Sequence, residues 1–163
     1  MRSAGGRAGA DSGQRQPGRS SRWIQVAALT YVVMLAVVTL LPIHWTLGLA
    51  RRPSNYEPQL VPFDDVLGGL EDSWVETLAE LFGNVLLFAP FGFLLPLLVP
   101  AMRRWWRALA AGAAVSLAIE LFQLAWPGVR KTSVDDVLMN ALGALVGFAG
   151  LRLSEAFRGR RLR

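Results

Sequence analysis

The chain of 163 residues is apolar and basic, and its charges are clustered rather than evenly spread. It is 53% hydrophobic and 18% charged, with a formal net charge of +5, no cysteine and one histidine. A chain of this length predicts one domain. The absence of cysteine excludes a disulfide framework, a thiolate nucleophile and Cys-ligated metal sites, and the single histidine excludes most His-rich metal sites.

Four apolar stretches predict an all-α membrane protein with four transmembrane helices. A helix that crosses about 30 Å of hydrocarbon needs about 20 predominantly apolar residues. The fourth stretch has a short uncharged run, 137–151, so it spans the membrane with Asp135, Asp136 and Arg152 near the two interfaces. The predicted helices have the approximate boundaries 23–41, 81–99, 108–126 and 134–153.

The basic residues predict the orientation of these helices. They concentrate before the first span, between the second and third spans, and after the fourth. The other two loops carry only Arg51, Arg52, Arg130 and Lys131. This alternation predicts that both termini are cytoplasmic, because basic loops are retained on that side. The positive charge is therefore explained by the membrane orientation of the helices, and no nucleic-acid partner is expected.

The segments outside the spans have distinct compositions. Residues 1–22 are rich in Gly, Ser and Arg and predict a disordered basic tail, and residues 154–163 form a basic C-terminal tail. The first apolar run is too long for the core of a signal peptide and predicts an uncleaved anchor. In the first outer loop, 42–79, apolar residues at helical spacing begin at Val66 and predict an interfacial amphipathic stretch that leads into helix two.

Polar residues are expected to converge at the outer ends of helices two, three and four. Such groups are costly in lipid and usually face the bundle interior, where they pair; Arg130 is the expected partner of Glu120. Two interpretations stay open: a structural pin that fastens the helices, or an outward-facing polar pocket that binds a head group or acts on it. The set comprises Asn84, Glu120, Gln123, Arg130, Asp135, Asp136 and Asn140.

Two glycines one turn apart, Gly143 and Gly147, form a small-residue face on helix four. Such a face lets two helix backbones approach closely. It predicts close helix packing, and a homo-oligomer through helix four is the alternative.

The chain resembles the VanZ-like family over about residues 59–150. The resemblance rests on Gln-Leu-Val-Pro-Phe (59–63), Asn-Val-Leu-Leu-Phe-Ala-Pro-Phe-Gly-Phe-Leu-Leu-Pro (84–96), Glu-Leu-Phe-Gln (120–123), Arg130 and Asp-Asp-Val-Leu-Met-Asn-Ala-Leu-Gly-Ala-Leu-Val-Gly (135–147), in family order. Gln59 departs from the asparagine typical of the family. The resemblance implies a VanZ-like domain over 23–153 in a multi-pass protein of the bacterial cytoplasmic membrane. The family is named for a protein associated with resistance to the lipid-tailed glycopeptide teicoplanin, and its recurring polar residues fall on the seven positions above.

Two functions follow as hypotheses. The first is a non-enzymatic envelope protein that binds an amphiphile and contributes to glycopeptide resistance; the ligand is a membrane lipid, a lipid-linked wall precursor or a lipid-tailed glycopeptide. Arg130 then holds a phosphate or carboxylate, and Glu120, Asp135 or Asp136 accepts hydrogen bonds.

The second hypothesis is a membrane enzyme acting on a lipid-linked substrate, with a divalent metal on Asp135 and Asp136 and with Glu120 as base. We favour binding, assign no catalytic residue and expect no cofactor or metal, because two adjacent carboxylates and one distant one are a thin ligand set. A small permease ranks last.

Overall fold

The structure, a computed structural model, describes residues 19–40, 59–125 and 133–161. These residues form helices α1 (Arg19–Leu40), α2 (Asp64–Leu98), α3 (Trp105–Ala125) and α4 (Val134–Arg161), and a 3-10 helix at Pro100–Met102. Each of the four α-helices contains a stretch long and apolar enough to cross a membrane. Within the described ranges, extended pairing is limited to one isolated bridge between Gln59 and Ser133. The predicted all-helical class is confirmed, with four helices that are long and apolar enough to span a membrane.

Two helices run further into the flanking segments than the predicted spans. α1 begins at Arg19, inside the predicted basic tail 1–22, and α4 continues beyond Leu153 to Arg161, through most of the predicted C-terminal tail. The predicted boundaries follow the first charged residues. Arginine and glutamate are good helix formers, so a helix can continue where its sequence stops being apolar.

The start of α2 differs most from the prediction. The helix begins at Asp64, so the stretch predicted to be amphipathic is its first part. A kink at Ser73, where φ is −156° and ψ is 88°, joins this part to the membrane-spanning part. Just after the kink, the Thr77 hydroxyl donates a hydrogen bond of 3.1 Å to the Ser73 carbonyl oxygen. Gly69 lies so close to the Thr77 side chain that a Cβ at residue 69 would overlap it.

The two glycines of α4 pack against α2. A Cβ at Gly143 would overlap the Val85 carbonyl oxygen, and one at Gly147 would overlap the Ala89 carbonyl oxygen. The two helix backbones are therefore in direct contact, as small residues allow.

This arrangement limits how a second copy could meet α4. The glycine face is occupied by α2 of the same chain. Leu142 and Val146, in contrast, are exposed on the side of α4 turned away from the bundle. A homo-oligomer through helix four stays a prediction, and it would have to use this exposed side.

α1 lies at the edge of the bundle and packs against both α2 and α3. Tyr31 and Leu35 are buried with Phe88, and the Tyr31 hydroxyl donates a hydrogen bond of 2.9 Å to the Leu87 carbonyl oxygen. Much of the rest of α1 exposes large apolar side chains, as expected for a helix that faces lipid on most sides.

Candidate functional site

The predicted polar residues meet where α1 and α3 end and α4 begins, a region called the polar end below. Asp136 is partly exposed there, and Arg130 lies outside the described residues, as does its expected pairing with Glu120. The remaining members are only 2–6% exposed: Asn84, Glu120, Gln123, Asp135 and Asn140.

Asn84 and Asp136 connect α2 to α4. The Asn84 side-chain amide donates a hydrogen bond to the Asp136 carboxylate, with 2.5 Å between Nδ2 and Oδ1. A buried amide without a partner is costly, and a hydrogen bond to an ionised acceptor is stronger than a neutral one. This pair therefore aligns the middle of α2 with the first turn of α4.

Glu120 connects α3 to the start of α4. Its Oε2 accepts a hydrogen bond of 3.1 Å from the backbone N–H of Ser133, the residue that precedes α4. The Ser133 hydroxyl oxygen accepts a bond of 3.2 Å from the backbone N–H of Asp135, and so caps the helix. The sequence analysis missed Ser133. Its signal is a serine three residues before Asp136, the spacing of a helix capping box.

The segment before α2 is hydrogen-bonded to the first residues of α4. The Gln59 carbonyl oxygen accepts a hydrogen bond of 3.1 Å from the Val134 N–H. The Phe63 N–H donates one of 2.8 Å to Oδ1 of Asp135. Phe63 has a φ of 64°, a left-handed conformation that is strained for a bulky residue. Asp135 thus holds the chain in a conformation that Phe63 does not adopt by preference.

Two further amide side chains connect helices, one deeper in the bundle and one near the helix ends. The Asn140 amide donates a hydrogen bond of 2.8 Å to the hydroxyl of Ser116, which is fully buried in α3. The Gln123 amide donates one of 2.8 Å to the Thr39 carbonyl oxygen near the end of α1. Ser116 was also missed by the sequence analysis. It lies one turn before Glu120 on the buried face of α3, and that periodicity is the signal that could have found it.

Three buried oxygens at the polar end have no hydrogen-bond partner among the residues that the structure describes. They are Oε1 of Gln123, Oδ2 of Asp135 and Oδ1 of Asn140. Each is a hydrogen-bond acceptor, and a buried acceptor without a donor costs about 1–3 kcal/mol. A hydroxyl or ammonium group that reached these oxygens would supply the donor they lack.

Next to the polar end, toward the middle of the bundle, small residues allow three helices to pack closely. Ala144, one turn beyond Asn140, is fully buried. Its Cβ is so near Gly112 of α3 that a Cβ on that glycine would overlap it, and its carbonyl oxygen is in similar contact with Gly92 of α2. The three helices α2, α3 and α4 are in close contact at this level, so the polar region does not extend further toward the middle of the bundle.

The carboxylates of the site face different partners. One oxygen each of Glu120, Asp135 and Asp136 accepts from Ser133, Phe63 and Asn84, respectively. Across ranges 19–40, 59–125 and 133–161, no group of three or more His, Asp or Glu side chains is placed to hold a metal ion.

The fold and the site define a multi-pass membrane protein with a buried, hydrogen-bonded polar cluster at one end of its helical bundle. The chain belongs to the VanZ/LLP1 family, whose model matches residues 28–155. This match confirms the resemblance noted in the sequence. No curated protein and no solved structure gives a significant match.

Proposed function

We propose that the polar end binds the head group of an amphiphile at the outer face of the bacterial cytoplasmic membrane. The ligand class comprises envelope lipids, lipid-linked wall precursors and lipid-tailed glycopeptides, and binding of the last would contribute to glycopeptide resistance. The observation that carries the proposal is a set of three buried acceptor oxygens, on Gln123, Asp135 and Asn140, that find no donor among the described residues.

The chemistry of these oxygens selects the head group. Hydroxyls and ammonium groups donate hydrogen bonds, and a ligand that supplies them removes the cost of unpaired buried acceptors. Sugars and amines of wall precursors and glycopeptides carry such donors. Arg130 adds a planar cation suited to a phosphate or carboxylate of the same ligand. The acyl chain remains in the lipid beside the bundle.

The distribution of charge supports an outward-facing site. Arg103 and Arg104 lie between α2 and α3, and Arg107 lies in the first turn of α3, at the opposite end of the bundle from the polar end. Basic loops favour the cytoplasmic side. This rule supports a polar end at the outer leaflet, where wall precursors and glycopeptides are met.

The packing below the site supports binding over passage through the bundle. The close contacts of Ala144 with Gly92 and Gly112 leave the three helix backbones together at that level. A permease would have to separate them. A head group bound above them needs no such movement.

The test uses Asp135→Asn in a glycopeptide-sensitive bacterial host. The substitution keeps an oxygen for the Phe63 N–H and turns the unpartnered acceptor into a donor. Wild type is expected to protect against teicoplanin and not against a glycopeptide without a lipid tail, and Asp135→Asn and Arg130→Ala are expected to lose protection at equal membrane abundance. Glu71→Gln, an exposed carboxylate-to-amide change in α2, is the matched control and should protect like wild type.

Direct binding gives the decisive second readout. Purified protein in nanodiscs is titrated with a fluorescent lipoglycopeptide and, separately, with a fluorescent lipid-linked wall precursor. Saturable binding of either that weakens at least about tenfold in Asp135→Asn supports the proposal, since losing a charge-assisted hydrogen bond costs about 1.5–3 kcal/mol. Equal binding and equal protection by Asp135→Asn and wild type would contradict it and would leave the cluster a structural pin.

A further inference from the structure

The end of the bundle opposite the polar end carries a cluster of arginines that one acidic residue holds together. Glu155 of α4 accepts a hydrogen bond from Arg103 through one carboxylate oxygen and from Arg152, at 2.9 Å, through the other. Arg103 lies between the 3-10 helix and α3, so this double ion pair fixes the connection between α2 and α3 against the last turns of α4. Glu155 is the sole acidic residue in 99–107 and 151–161.

The remaining arginines of this end leave a net positive surface. Arg104, Arg158 and Arg160 are exposed and have no ion pair among the described residues. Arg107 donates to the Ala101 carbonyl oxygen at 2.6 Å and lies over the Trp106 ring, 5.0 Å from its centroid. Because Glu155 uses both oxygens on Arg103 and Arg152, no carboxylate of these two segments remains to neutralise the other arginines.

Exposed apolar side chains lie at the same level as these arginines. Trp105 and Trp106 are 58% and 47% exposed at the start of α3, and Leu153 and Phe157 are similarly exposed near the end of α4. Tryptophan at the end of a spanning helix is typical of the lipid interface. The arginines therefore lie at the depth of the lipid head groups, in reach of phosphate groups.

We infer that this arginine cluster, formed by Arg103, Arg104, Arg107, Arg152, Arg158 and Arg160, binds the head groups of anionic phospholipids. Guanidinium groups bind phosphate through paired hydrogen bonds. Each basic residue near an anionic membrane surface strengthens the interaction by roughly fivefold. The ion pairs of Glu155 bring two chain segments together, so one or two lipid molecules meet arginines from both. The inference does not depend on the function proposed for the polar end.

The test measures how strongly two lipids quench the tryptophans next to the cluster. The full chain is placed in phosphatidylcholine vesicles that contain equal fractions of either brominated phosphatidylglycerol or brominated phosphatidylcholine. Trp105 and Trp106 are kept as reporters, and the other four tryptophans are replaced by phenylalanine: Trp23, Trp45, Trp74 and Trp126. The brominated phosphatidylglycerol is expected to quench more strongly, and the difference should shrink at high salt.

The test variant replaces Arg104, Arg158 and Arg160 with glutamine, which leaves both ion pairs of Glu155 in place. The preference for phosphatidylglycerol is expected to fall close to zero. The matched control, Arg51→Gln with Arg52→Gln, removes charge from the loop predicted at the opposite end and should keep the preference. Lipid retained after detergent extraction, identified by mass spectrometry in a chain with all six tryptophans, gives the same comparison without the tryptophan changes.

Three results would overturn the inference. The first is equal quenching by the two lipids in the parent protein. The second is an equal loss of preference in the triple variant and in the Arg51/Arg52 control. The third is abolition of the preference by millimolar inorganic phosphate, which would identify a site for a soluble anion rather than for a lipid.

Discussion

The side chains of Asn84 and Asp136, on α2 and α4, form a direct hydrogen bond of 2.5 Å at the polar end. The two residues are 52 positions apart in the chain. The bond lies on the same side of α4 as its glycine contacts with α2. Polar pairing and close backbone packing therefore act on one helix interface.

Asn84→Ala is expected to lower the stability of the folded protein in detergent. It leaves the Asp136 carboxylate without this donor, and losing one partner of a charged hydrogen bond costs about 1.5–3 kcal/mol. The measurement is the thermal unfolding midpoint of the purified protein. Leu86→Ala, at an exposed position of the same helix, is the control and should change the midpoint less. Equal midpoints for Asn84→Ala and wild type would show that the bond does not stabilise the interface.

Gly147→Ala and Gly150→Ala are expected to have opposite effects, although they lie three residues apart in α4. A Cβ at residue 147 would overlap the Ala89 carbonyl oxygen, whereas one at residue 150 meets nothing within 4 Å. The first change forces α2 and α4 apart. The second replaces glycine in a helix and should stabilise it by about 0.5–1 kcal/mol. Thermal unfolding of both variants tests the packing, and equal destabilisation would contradict it.

Gly69→Ala is expected to disturb the kink of α2 at Ser73. The new methyl group would overlap the Thr77 side chain, whose hydroxyl bonds to the Ser73 carbonyl oxygen. The neighbouring Gly68→Ala meets open space and serves as the control. Unfolding midpoints should fall for the first variant alone. A drop that persists when Thr77 is also replaced by alanine would refute a clash at this position.

The predicted orientation can be tested with single cysteines, because the natural chain contains none. Leu60→Cys, in the exposed segment tied to the polar end, is expected to react with a membrane-impermeant thiol reagent applied to intact cells. Ala101→Cys, exposed in the 3-10 helix, is expected to react only after the cells are opened. The reverse pattern would place the polar end inside the cell and would contradict the function proposed for it.

Much of the polar end could be predicted from the sequence because position along a helix is a local property. The rise per residue fixes the depth of Asn84, Glu120 and Asn140 once the spans are known. In the structure, all three lie at the same end of the bundle. Ser116 and Ser133 were not predicted. Helical periodicity and capping-box spacing mark their positions, but which amide or N–H each one bonds depends on the tertiary structure.

The sequence by itself determined the helical class, the four spans and the family, because hydropathy, charge alternation and motif order are properties of consecutive residues. Only the tertiary structure decided that Asn84 pairs with Asp136, that Asp135 holds the backbone of Phe63, and that Gly147 contacts α2 of its own chain. These outcomes depend on the rotation and spacing of one helix relative to another. That geometry arises from the packing of all the helices together, and no single segment encodes it.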